Sequence, residues 1–398
     1  MNNTTNGNRK HIAIFGNVNS GKSSLINAIT NQNVSIVSDI KGTTTDPVKK
    51  AMEILDLGAV LLIDTAGFND ETEIGYKRKE KTLDVLKSAD LAIYVMDGTD
   101  IDIESFTKWK KEVKKYNIKM FVVANKIDLL SDEEKVSLEK ELKSCILIST
   151  KTGDGIEILI EKIKFVLGED SENEPDRSLI GDLLPYGSTV ILVVPIDSEA
   201  PKGRLILPQV QLIRDCLDNG IKSYVVRDTE LEEALNDVKK VDLVVTDSQA
   251  FKKVSKIVPS DIKLTSFSIL FARQKGEIET FIDGVNSIRN LKVGSNVLIA
   301  ESCTHNVSHE DIGKVKIPKM LEKFVGGKLS FTFTMGNDFK NNIEKYDLVI
   351  HCGACMVNRK TVMNRVNLCK EKNIPITNYG IVIAFLTGIL DRATNTIL

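Results

Sequence analysis

A glycine-rich segment near the amino terminus has the residue types and spacing of a phosphate-binding loop. Residues 16–23 fit the Walker A pattern, Gly-x4-Gly-Lys-Ser, between a predicted strand at His11–Phe15 and a predicted helix at Ser24–Thr30. The glycines let successive backbone N–H groups point at phosphates, and the helix amino terminus favours anions. Lys22 would reach the β- and γ-phosphates as a catalytic residue, and the Ser23 hydroxyl would ligate Mg²⁺. The predicted nucleotide contacts here are Gly16, Asn17, Asn19, Ser20, Gly21, Lys22, Ser23 and Ser24.

Three later segments, each after an apolar predicted strand, complete a guanine-nucleotide site. Asp64 and Gly67 belong to an Asp-Thr-Ala-Gly segment, in which the carboxylate can hold the Mg²⁺ shell. Asn125, Lys126 and Asp128 form an Asn-Lys-x-Asp segment. A carboxylate there accepts hydrogen bonds from the N1–H and the exocyclic amine of guanine, which adenine cannot supply, so the wrong base is rejected. The predicted loop behind the base consists of Ser149, Thr150 and Lys151. The sequence thus predicts GTP/GDP and Mg²⁺ as ligands.

These motifs resemble the translation-factor-like GTPases, within the branch that contains Era and MnmE, over residues 1–168. The resemblance implies a switch I element at Gly42–Asp46, in which Thr44 is the Mg²⁺-binding threonine. Asn19 matches the asparagine that helps coordinate K⁺ in potassium-activated members. Phe68 stands where Ras-like enzymes have the water-orienting glutamine, and Asp70 occupies the place of the acidic catalytic residue of MnmE-like enzymes.

A second group of reactive residues lies near the carboxyl end. Cys303 and His305 form one short segment, and His351, Cys352 and Cys355 form another with Cys-x-x-Cys spacing. That spacing suits tetrahedral zinc, an iron–sulfur cluster or thiol–disulfide chemistry, and buried inert thiols are a further interpretation. Each segment follows an apolar predicted strand, so both loops are expected at the carboxyl edge of one parallel sheet, where α/β folds bind ligands.

The elements that must position these residues alternate between short apolar strands and amphipathic helices along the whole chain. This alternation predicts an α/β fold: a P-loop GTPase domain followed by two further α/β domains with mainly parallel sheets. We expect boundaries at 1–168, 169–264 and 265–398. The middle block carries no nucleotide or metal motif and is expected to be a packing or oligomerisation module. Its predicted strands are Thr189–Val194, Ser223–Val226 and Leu243–Thr246, and those of the last block are Asn296–Ala300, Leu329–Phe333, Leu348–Ile350 and Ile374–Thr377.

Composition excludes several classes of protein. The 398 residues carry a formal charge of −2, so no basic footprint for nucleic acid is evident in the overall balance. The polar start, Met1–Lys10, lacks the apolar core of a secretory signal, and Ile381–Leu390 is too short to span a membrane. A cytoplasmic protein without nucleic-acid or membrane partners is expected. In that reducing compartment the six cysteines are not expected to form a disulfide framework.

A GTPase joined to a motif-poor middle block and a terminal Cys-x-His…His-Cys-x-x-Cys block resembles the HydF family, the maturation GTPases of [FeFe]-hydrogenase. This resemblance spans essentially the whole chain. It implies a [4Fe–4S] cluster held by the thiolates of Cys303, Cys352 and Cys355, with an exchangeable fourth ligand on one iron. His305 and His351 are the candidate fourth ligands in the chain.

The same resemblance implies a function as scaffold and carrier. The chain would form a homodimer through its middle block, receive parts of a diiron unit from the radical-SAM enzymes HydE and HydG, and deliver it to apo-[FeFe]-hydrogenase. The alternatives are a ribosome- or tRNA-associated GTPase with a structural zinc domain, and a thiol-redox regulator.

Overall fold

The fold divides into two compact units, Met1–Asp176 and Arg177–Leu398. The computed structural model describes residues 6–31, 38–40, 47–65, 73–142, 144–173, 177–196, 203, 205–302, 311–336, 339 and 342–397.

The first unit is built on a seven-stranded sheet in the order β2-β3-β4-β1-β5-β6-β7. Its strands are β1 Lys10–Gly16, β2 Ser38–Ile40, β3 Val48–Ile54, β4 Gly58–Asp64, β5 Leu91–Asp97, β6 Lys119–Asn125 and β7 Ile146–Leu147. Its helices are α1 Lys22–Thr30, α2 Glu73–Ser88, α3 Ile103–Lys114, α4 Asp132–Glu141 and α5 Ile156–Asn173. Strand β3 pairs antiparallel with β2 and β4, and the other pairs are parallel.

Strand β1 is apolar throughout because both of its faces are covered, as is usual for central parallel strands. Ile12 and Ile14 belong to one apolar core, together with side chains of α1 and α5. Ala13 and Phe15 belong to the opposite core, together with side chains of α2, α3 and α4. The sheet is therefore fixed on both faces, and the loops after its parallel strands share one edge.

The second unit contains two four-stranded parallel sheets in the orders β11-β10-β8-β9 and β13-β12-β14-β15. The strands are β8 Thr189–Val193, β9 Lys222–Val226, β10 Leu243–Thr246, β11 Lys263–Ser266, β12 Asn296–Glu301, β13 Ser330–Met335, β14 Leu348–His351 and β15 Ile376–Asn378. The helices are α6 Leu207–Asp218, α7 Leu231–Asp237, α8 Phe251–Ile257, α9 Phe267–Lys275, α10 Ile278–Asn286, α11 Ile317–Val325, α12 Arg359–Glu371, α13 Tyr379–Leu386 and α14 Leu390–Thr394.

Both sheets of this unit have the same topology. In each sheet the first and third strands along the chain are neighbours, β8 with β10 and β12 with β14. The second strand lies on one side of the first strand and the third strand on the other side, which makes this position a topological switch point. Ligands of open α/β sheets bind outside the carboxyl ends of strands at such a switch point. One continuous apolar core, reaching from Leu179 to Ile397, joins the two sheets.

The predicted α/β class with mainly parallel sheets is confirmed. The apolar stretch at the carboxyl end forms the buried helix α13, as expected, but this helix ends at Leu386 rather than Leu390. Among the described helices, none is long and apolar enough to cross a membrane. Strands β2, β3 and β11 were not predicted from the sequence.

Candidate functional site

The phosphate-binding loop leaves β1 and enters α1. The Nζ atom of Lys22 donates hydrogen bonds to the carbonyl oxygens of Gly16 at 3.0 Å and Asn17 at 2.7 Å. Burial lowers the pKa of Lys22, although the nearby Asp64 carboxylate acts in the opposite direction. The loop thus holds a half-buried ammonium group over its own carbonyls, where it can pair with phosphate oxygens.

Two glycines of this loop cannot be replaced by larger residues. Gly16 has a φ of 146°, and an added Cβ would lie 2.1 Å from the carbonyl oxygen of Val95. Gly21 has a φ of 94°, and its Cβ would lie 2.1 Å from the side-chain nitrogen of Asn125. Both the left-handed backbone and the close approach therefore require glycine.

Two oxygen atoms suited to Mg²⁺ lie together at the start of α1. The Ser23 hydroxyl donates to Oδ2 of Asp64 at 2.6 Å. Burial raises the pKa of Asp64, opposed by this hydrogen bond and by the charge of Lys22. Hydroxyl and carboxylate oxygens are hard ligands of the kind that Mg²⁺ prefers. The two residues predicted to hold Mg²⁺ and its shell, Ser23 and Asp64, thus lie in hydrogen-bond contact.

Asn125 joins the phosphate-binding loop to the loop predicted to lie behind the base. Its side chain is 1% exposed. The side-chain amide donates to the carbonyl oxygen of Ser20 at 3.1 Å and accepts from the backbone N–H of Thr150 at 3.0 Å. This side chain therefore fixes the distance between two walls of the site.

The Asp128 carboxylate is positioned by the same loop. The hydroxyl of Ser149 donates to its Oδ1 at 2.7 Å, and Nζ of Lys151 lies 3.7 Å from its Oδ2. The hydrogen bond from Ser149 is the main cause that lowers the pKa of Asp128, so the group is an anion at neutral pH. An ionised carboxylate is an acceptor only, as recognition of two guanine N–H groups requires.

These side chains surround one cavity of about 500 Å³. A volume of this size fits a mononucleotide-sized ligand. The lining residues are Asn19, Gly21, Lys22, Ser23, Ser24, Asn125, Lys126, Asp128, Leu129, Thr150 and Lys151.

Two acidic residues near the nucleotide cavity were not predicted from the sequence. Asp97, at the end of β5, accepts a hydrogen bond from Nζ of Lys126 at 2.5 Å. Burial would raise the pKa of Asp97, but hydrogen bonds from Lys126 and Thr99 outweigh it and lower the pKa. Asp102 accepts from the side chain of Asn17 at 2.9 Å. The available signal for Asp97 was its place in the sequence directly after the apolar run Leu91–Met96.

In the second unit, the Cys-x-x-Cys loop lies at the switch point of its sheet. Ala300 of β12 is the register partner of His351 of β14, and the N–H of Cys352 donates to the carbonyl oxygen of Ala300 at 3.0 Å. The backbone N–H of Ser302 donates to the Cys352 sulfur at 3.2 Å, and the Ser302 hydroxyl oxygen lies 3.3 Å from it. The predicted meeting of two strand ends is thus present in the geometry, with Ser302 against the sulfur of Cys352.

The thiols of Cys352 and Cys355 are free, and burial followed by the proximity of Cys352 raises the pKa of Cys355 to about 11. None of the five cysteines whose placement the structure describes forms a disulfide. Burial raises the pKa of Cys145, Cys216 and Cys369 to about 12, so these three remain protonated. Within the described part of the chain, no group of three or more His, Cys, Asp or Glu side chains is arranged to hold a metal ion.

His351, predicted as a candidate fourth ligand of the cluster, has both ring nitrogens in hydrogen bonds. Nη1 of Arg365 lies 2.8 Å from Nε2 of His351, and a guanidinium can only donate. The ring proton must therefore be on Nδ1, which donates to the carbonyl oxygen of Cys352 at 2.8 Å. Burial and the charge of Arg365 lower the pKa of His351 to about 3. Iron binding by this ring would require one of these hydrogen bonds to break.

Five predicted site residues lie outside the described residues: Thr44, Gly67, Asp70, Cys303 and His305.

Comparison with protein-family models identifies the segments on which these sites lie. A model described as 50S ribosome-binding GTPase matches residues 11–126. The model of the Hydrogen maturase F dimerization domain matches residues 179–276, and that of the Hydrogen maturase F tetramerization domain matches residues 279–396. The two Hydrogen maturase F models together cover more than half of the 398 residues.

The chain belongs to the HydF family.

Curated relatives of this HydF chain include GTPases. GTPase Der of Nautilia profundicola is 39% identical over 156 residues, covering 38% of this chain and 34% of that protein. The tRNA modification GTPase MnmE of Endomicrobium trichonymphae is 36% identical over 177 residues, covering 42% of this chain and 36% of that protein. The chain thus spans about a third of the length of these relatives.

Solved structures with detectable likeness include other GTPases. The G domain of the T. maritima FeoB iron transporter is 28% identical, with a TM-score of 0.30, over 40% of this chain and 98% of that chain. Era of Aquifex aeolicus is 17% identical, with a TM-score of 0.34, over 82% of this chain and 92% of that chain. The first unit is a GTPase domain, as the matching model and the relatives establish, and the HydF segments are self-association domains.

The Asp128 carboxylate gives a direct test of base recognition. In Asp128→Asn, an amide N–H would face the guanine N–H groups, so GTP should bind on the order of 10- to 100-fold more weakly, as expected for losing hydrogen bonds to a charged group. Xanthosine triphosphate, which has a carbonyl in place of the guanine amine, should gain affinity. Titration with a fluorescent nucleotide, with competition by each triphosphate, measures both changes.

The matched control is Asp154→Asn, because Asp154 lies on the neighbouring loop and its carboxylate accepts a hydrogen bond from the hydroxyl of Thr152. Its affinity for GTP should equal that of the wild type. Unchanged GTP affinity in Asp128→Asn would show that another group reads the base.

Proposed function

We propose that this chain is a GTP-hydrolysing scaffold and carrier for [FeFe]-hydrogenase maturation. It holds a [4Fe–4S] cluster and a diiron precursor, and it delivers the precursor to apo-[FeFe]-hydrogenase. The radical-SAM enzymes HydE and HydG supply the parts of the precursor. The observation that carries the proposal is the Cys-x-x-Cys loop at a sheet switch point inside a segment matched by a Hydrogen maturase F model.

The described residues fit an iron–sulfur cluster in their chemistry. Cys352 and Cys355 supply two thiolate ligands from one loop, and Cys303, directly after Ser302 in the chain, supplies the third. The backbone N–H of Ser302, 3.2 Å from the Cys352 sulfur, can stabilise a thiolate by a hydrogen bond. A cluster with one exchangeable ligand, when bound, can accept a second metal complex reversibly. His305 and His351 are the family's candidate ligands at that position, and the hydrogen bonds of His351 favour His305 or an external group.

The domain assignment follows from the same proposal. Residues 1–168 bind and hydrolyse GTP, residues 169–264 form the dimer, and residues 265–398 hold the cluster. Exposed apolar side chains on and beside the edge strand β9 support a contact between two copies, since an uncovered apolar sheet edge is a pairing surface. Tyr224 is 47% exposed and Val225 is 45% exposed, and Leu217 on α6 is 67% exposed.

The bound nucleotide controls association with partner proteins in this proposal, rather than chemistry at the iron atoms. Loops ordered by the γ-phosphate and Mg²⁺ relax after hydrolysis, and this changes the surface that a partner meets. Thr44 and Asp70 are the proposed switch residues for Mg²⁺ binding and for water activation. Lys22 and a K⁺ ion beside Asn19 neutralise the charge that develops on the phosphates.

Potassium dependence tests the proposed role of Asn19. This residue lines the nucleotide cavity and has a φ of 63°, a conformation that glycine also adopts without strain. GTP turnover should be on the order of 100-fold faster in KCl than in NaCl at equal ionic strength, as expected for one preorganised electrostatic contact to the transition state. In Asn19→Gly the two salts should give equal and slow rates. Equal rates in both salts for the wild type would remove the K⁺ ion from the mechanism.

The carrier role is tested by transfer. The full-length chain is reconstituted anaerobically, loaded with a synthetic diiron complex, freed of excess complex and mixed with apo-[FeFe]-hydrogenase. Hydrogen evolution should appear with the wild type and be absent with Cys355→Ser. Equal activation by both proteins would mean that the cysteine loop plays no part in carrying the precursor.

One alternative has an observation in its favour. The model matching residues 11–126 is described as a ribosome-binding GTPase, and the relatives include a tRNA modification GTPase. A GTPase that acts on ribosome or tRNA, with structural zinc at the cysteines, would bind zinc rather than iron and would co-sediment with ribosomal particles.

A further inference from the structure

A lysine side chain is buried directly beneath the Cys-x-x-Cys loop. Lys275, the last residue of α9, is 3% exposed. Its ammonium group donates to the carbonyl oxygens of Ala354 at 3.1 Å and Val357 at 2.9 Å, and it lies 3.5 Å from that of Cys355. The ring of Phe271 lies on another side, with its centroid 5.4 Å away. Burial of a charged group costs free energy unless hydrogen bonds compensate it. We therefore expect this buried ammonium group, which contacts three carbonyls of one loop, to have a specific role.

The loop itself has a backbone conformation that needs support. Ala354, between the two cysteines, has a φ of 58° and is 4% exposed. A residue other than glycine, asparagine or aspartate is rarely found in this left-handed region, and such strain persists only where the surroundings enforce it. The carbonyl of Ala354 is one of those that Lys275 holds. The ammonium group is therefore placed to enforce the turn that carries Cys352 and Cys355.

A second set of hydrogen bonds joins the cysteine loop region to the end of α9, here with the donor on the side of the loop. Nη1 of Arg359, at the start of α12, donates to the carbonyl oxygens of Gln274 and Gly276, each at 3.1 Å. These carbonyls flank Lys275 at the end of α9. The loop and the helix end thus hold each other through two cationic side chains.

Helix α9 lies between the two sheets of this unit, because it packs against α6 and β11 as well as against α12, α13 and β15. It directly follows β11, and its amino terminus is capped by Ser266, whose hydroxyl oxygen accepts from the N–H of Ile269 at 3.3 Å. Lys275 lies inside the segment matched by the dimerization model, residues 179–276, whereas the cysteine loop lies inside residues 279–396. The ammonium group of Lys275 is therefore a direct link between the two segments.

We propose that Lys275 is the positioning residue of the cysteine loop. It fixes the left-handed turn at Ala354, places an ammonium group against the carbonyls of the Cys-x-x-Cys loop, and connects this loop to the segment matched by the dimerization model. The inference rests on the proposed function only where it concerns the cluster. A fixed positive charge near an iron–sulfur cluster favours the reduced, more negative state, so it raises the reduction potential.

The test compares Lys275→Met, which keeps most of the length and removes the charge, with two other variants of the full-length chain. Lys275→Arg keeps the charge. Arg273→Met is the control, because Arg273 lies on the same helix but pairs with Asp182 and the carbonyl of Ser178 rather than with the cysteine loop.

The first measurement uses metal-free protein. Amide hydrogen exchange over residues 352–358 should be at least about tenfold faster in Lys275→Met than in the wild type, since a local opening becomes easier. Arg273→Met should leave this segment unchanged. Equal protection in Lys275→Met and wild type would overturn the positioning role.

The second measurement is the midpoint potential of the reconstituted cluster. Lys275→Met should make reduction about tenfold less favourable, which is about 59 mV for a one-electron couple. Lys275→Arg should return the potential toward the wild-type value, a rescue that a purely structural role would not produce. A potential unchanged in Lys275→Met would overturn the charge effect.

Failure of the inference and failure of the proposed function are distinguishable. Wild-type protein that takes up no iron would contradict the proposed function, and hydrogen exchange of the metal-free loop would still decide the positioning role. If Lys275→Met and the milder Lys275→Gln both fail to fold while Arg273→Met folds, Lys275 is a general core requirement and the inference is wrong.

Discussion

Replacing Lys22 with alanine is expected to lower GTP turnover by at least about 100-fold, the range found when one preorganised contact to a transition-state charge is removed. The ammonium group is held over the carbonyls of Gly16 and Asn17, where it meets phosphate oxygens and follows the charge that develops on them. Phosphate release at saturating GTP measures the loss. Iron content should be unchanged, because the cysteine loop lies in the other compact unit.

The control for this variant is Lys115→Ala, an exposed lysine of the same unit that pairs with Glu112. Its turnover should match the wild type, because surface ion pairs contribute little. If Lys22→Ala hydrolyses GTP as fast as wild type, the phosphate-binding loop has been assigned to the wrong residues.

Replacing Cys352 with alanine is expected to abolish stable iron binding and hydrogenase activation while GTP turnover remains normal. Cys352 lies at the end of β14, in contact with Ser302 at the end of β12, so its sulfur is the point where the two strand ends meet. Loss of this ligand would leave at most two cysteine thiolates for the cluster, and clusters of this type need three or four ligands. Iron analysis and the visible spectrum after anaerobic reconstitution measure the change.

Cys216→Ala is the matched control, because Cys216 is a fully buried thiol of α6 with a pKa raised to about 12 by burial. It should keep the iron content of the wild type. Iron bound equally by Cys352→Ala and wild type would remove Cys352 from the ligand set.

The fold was predictable where local patterns are strong. Strand β1 and the loop after it were evident because an apolar run followed by Gly-x4-Gly-Lys-Ser occurs within 14 residues, from Lys10 to Ser23. Strand β3 was missed because its sequence, Val-Lys-Lys-Ala-Met-Glu-Ile, is half polar, as suits an antiparallel strand near a sheet edge. Strand β11 was missed because it is only four residues long, Lys263–Ser266, and α9 begins directly after it.

The sequence predicted which loops form the candidate sites. It did not predict which side chains from other helices hydrogen-bond to those loops. The partner of His351, Arg365, lies 14 residues away on α12, and Lys275 lies 79 residues from Ala354. No periodicity or motif relates such positions, because their contact depends on how separate helices pack. The sequence therefore indicated His351 as a candidate fourth ligand without showing that its two ring nitrogens are hydrogen-bonded to Arg365 and the Cys352 carbonyl.

We propose above all that the carboxyl-terminal unit holds an iron–sulfur cluster in which one iron atom has an exchangeable ligand. The most direct measurement is metal content together with the EPR spectrum of the full-length chain after anaerobic reconstitution and reduction. The account predicts a brown protein with about four iron atoms per chain and a reduced-cluster signal that shifts when an external ligand such as cyanide or imidazole is added. A colourless protein with about one zinc ion per chain and no such signal would contradict it.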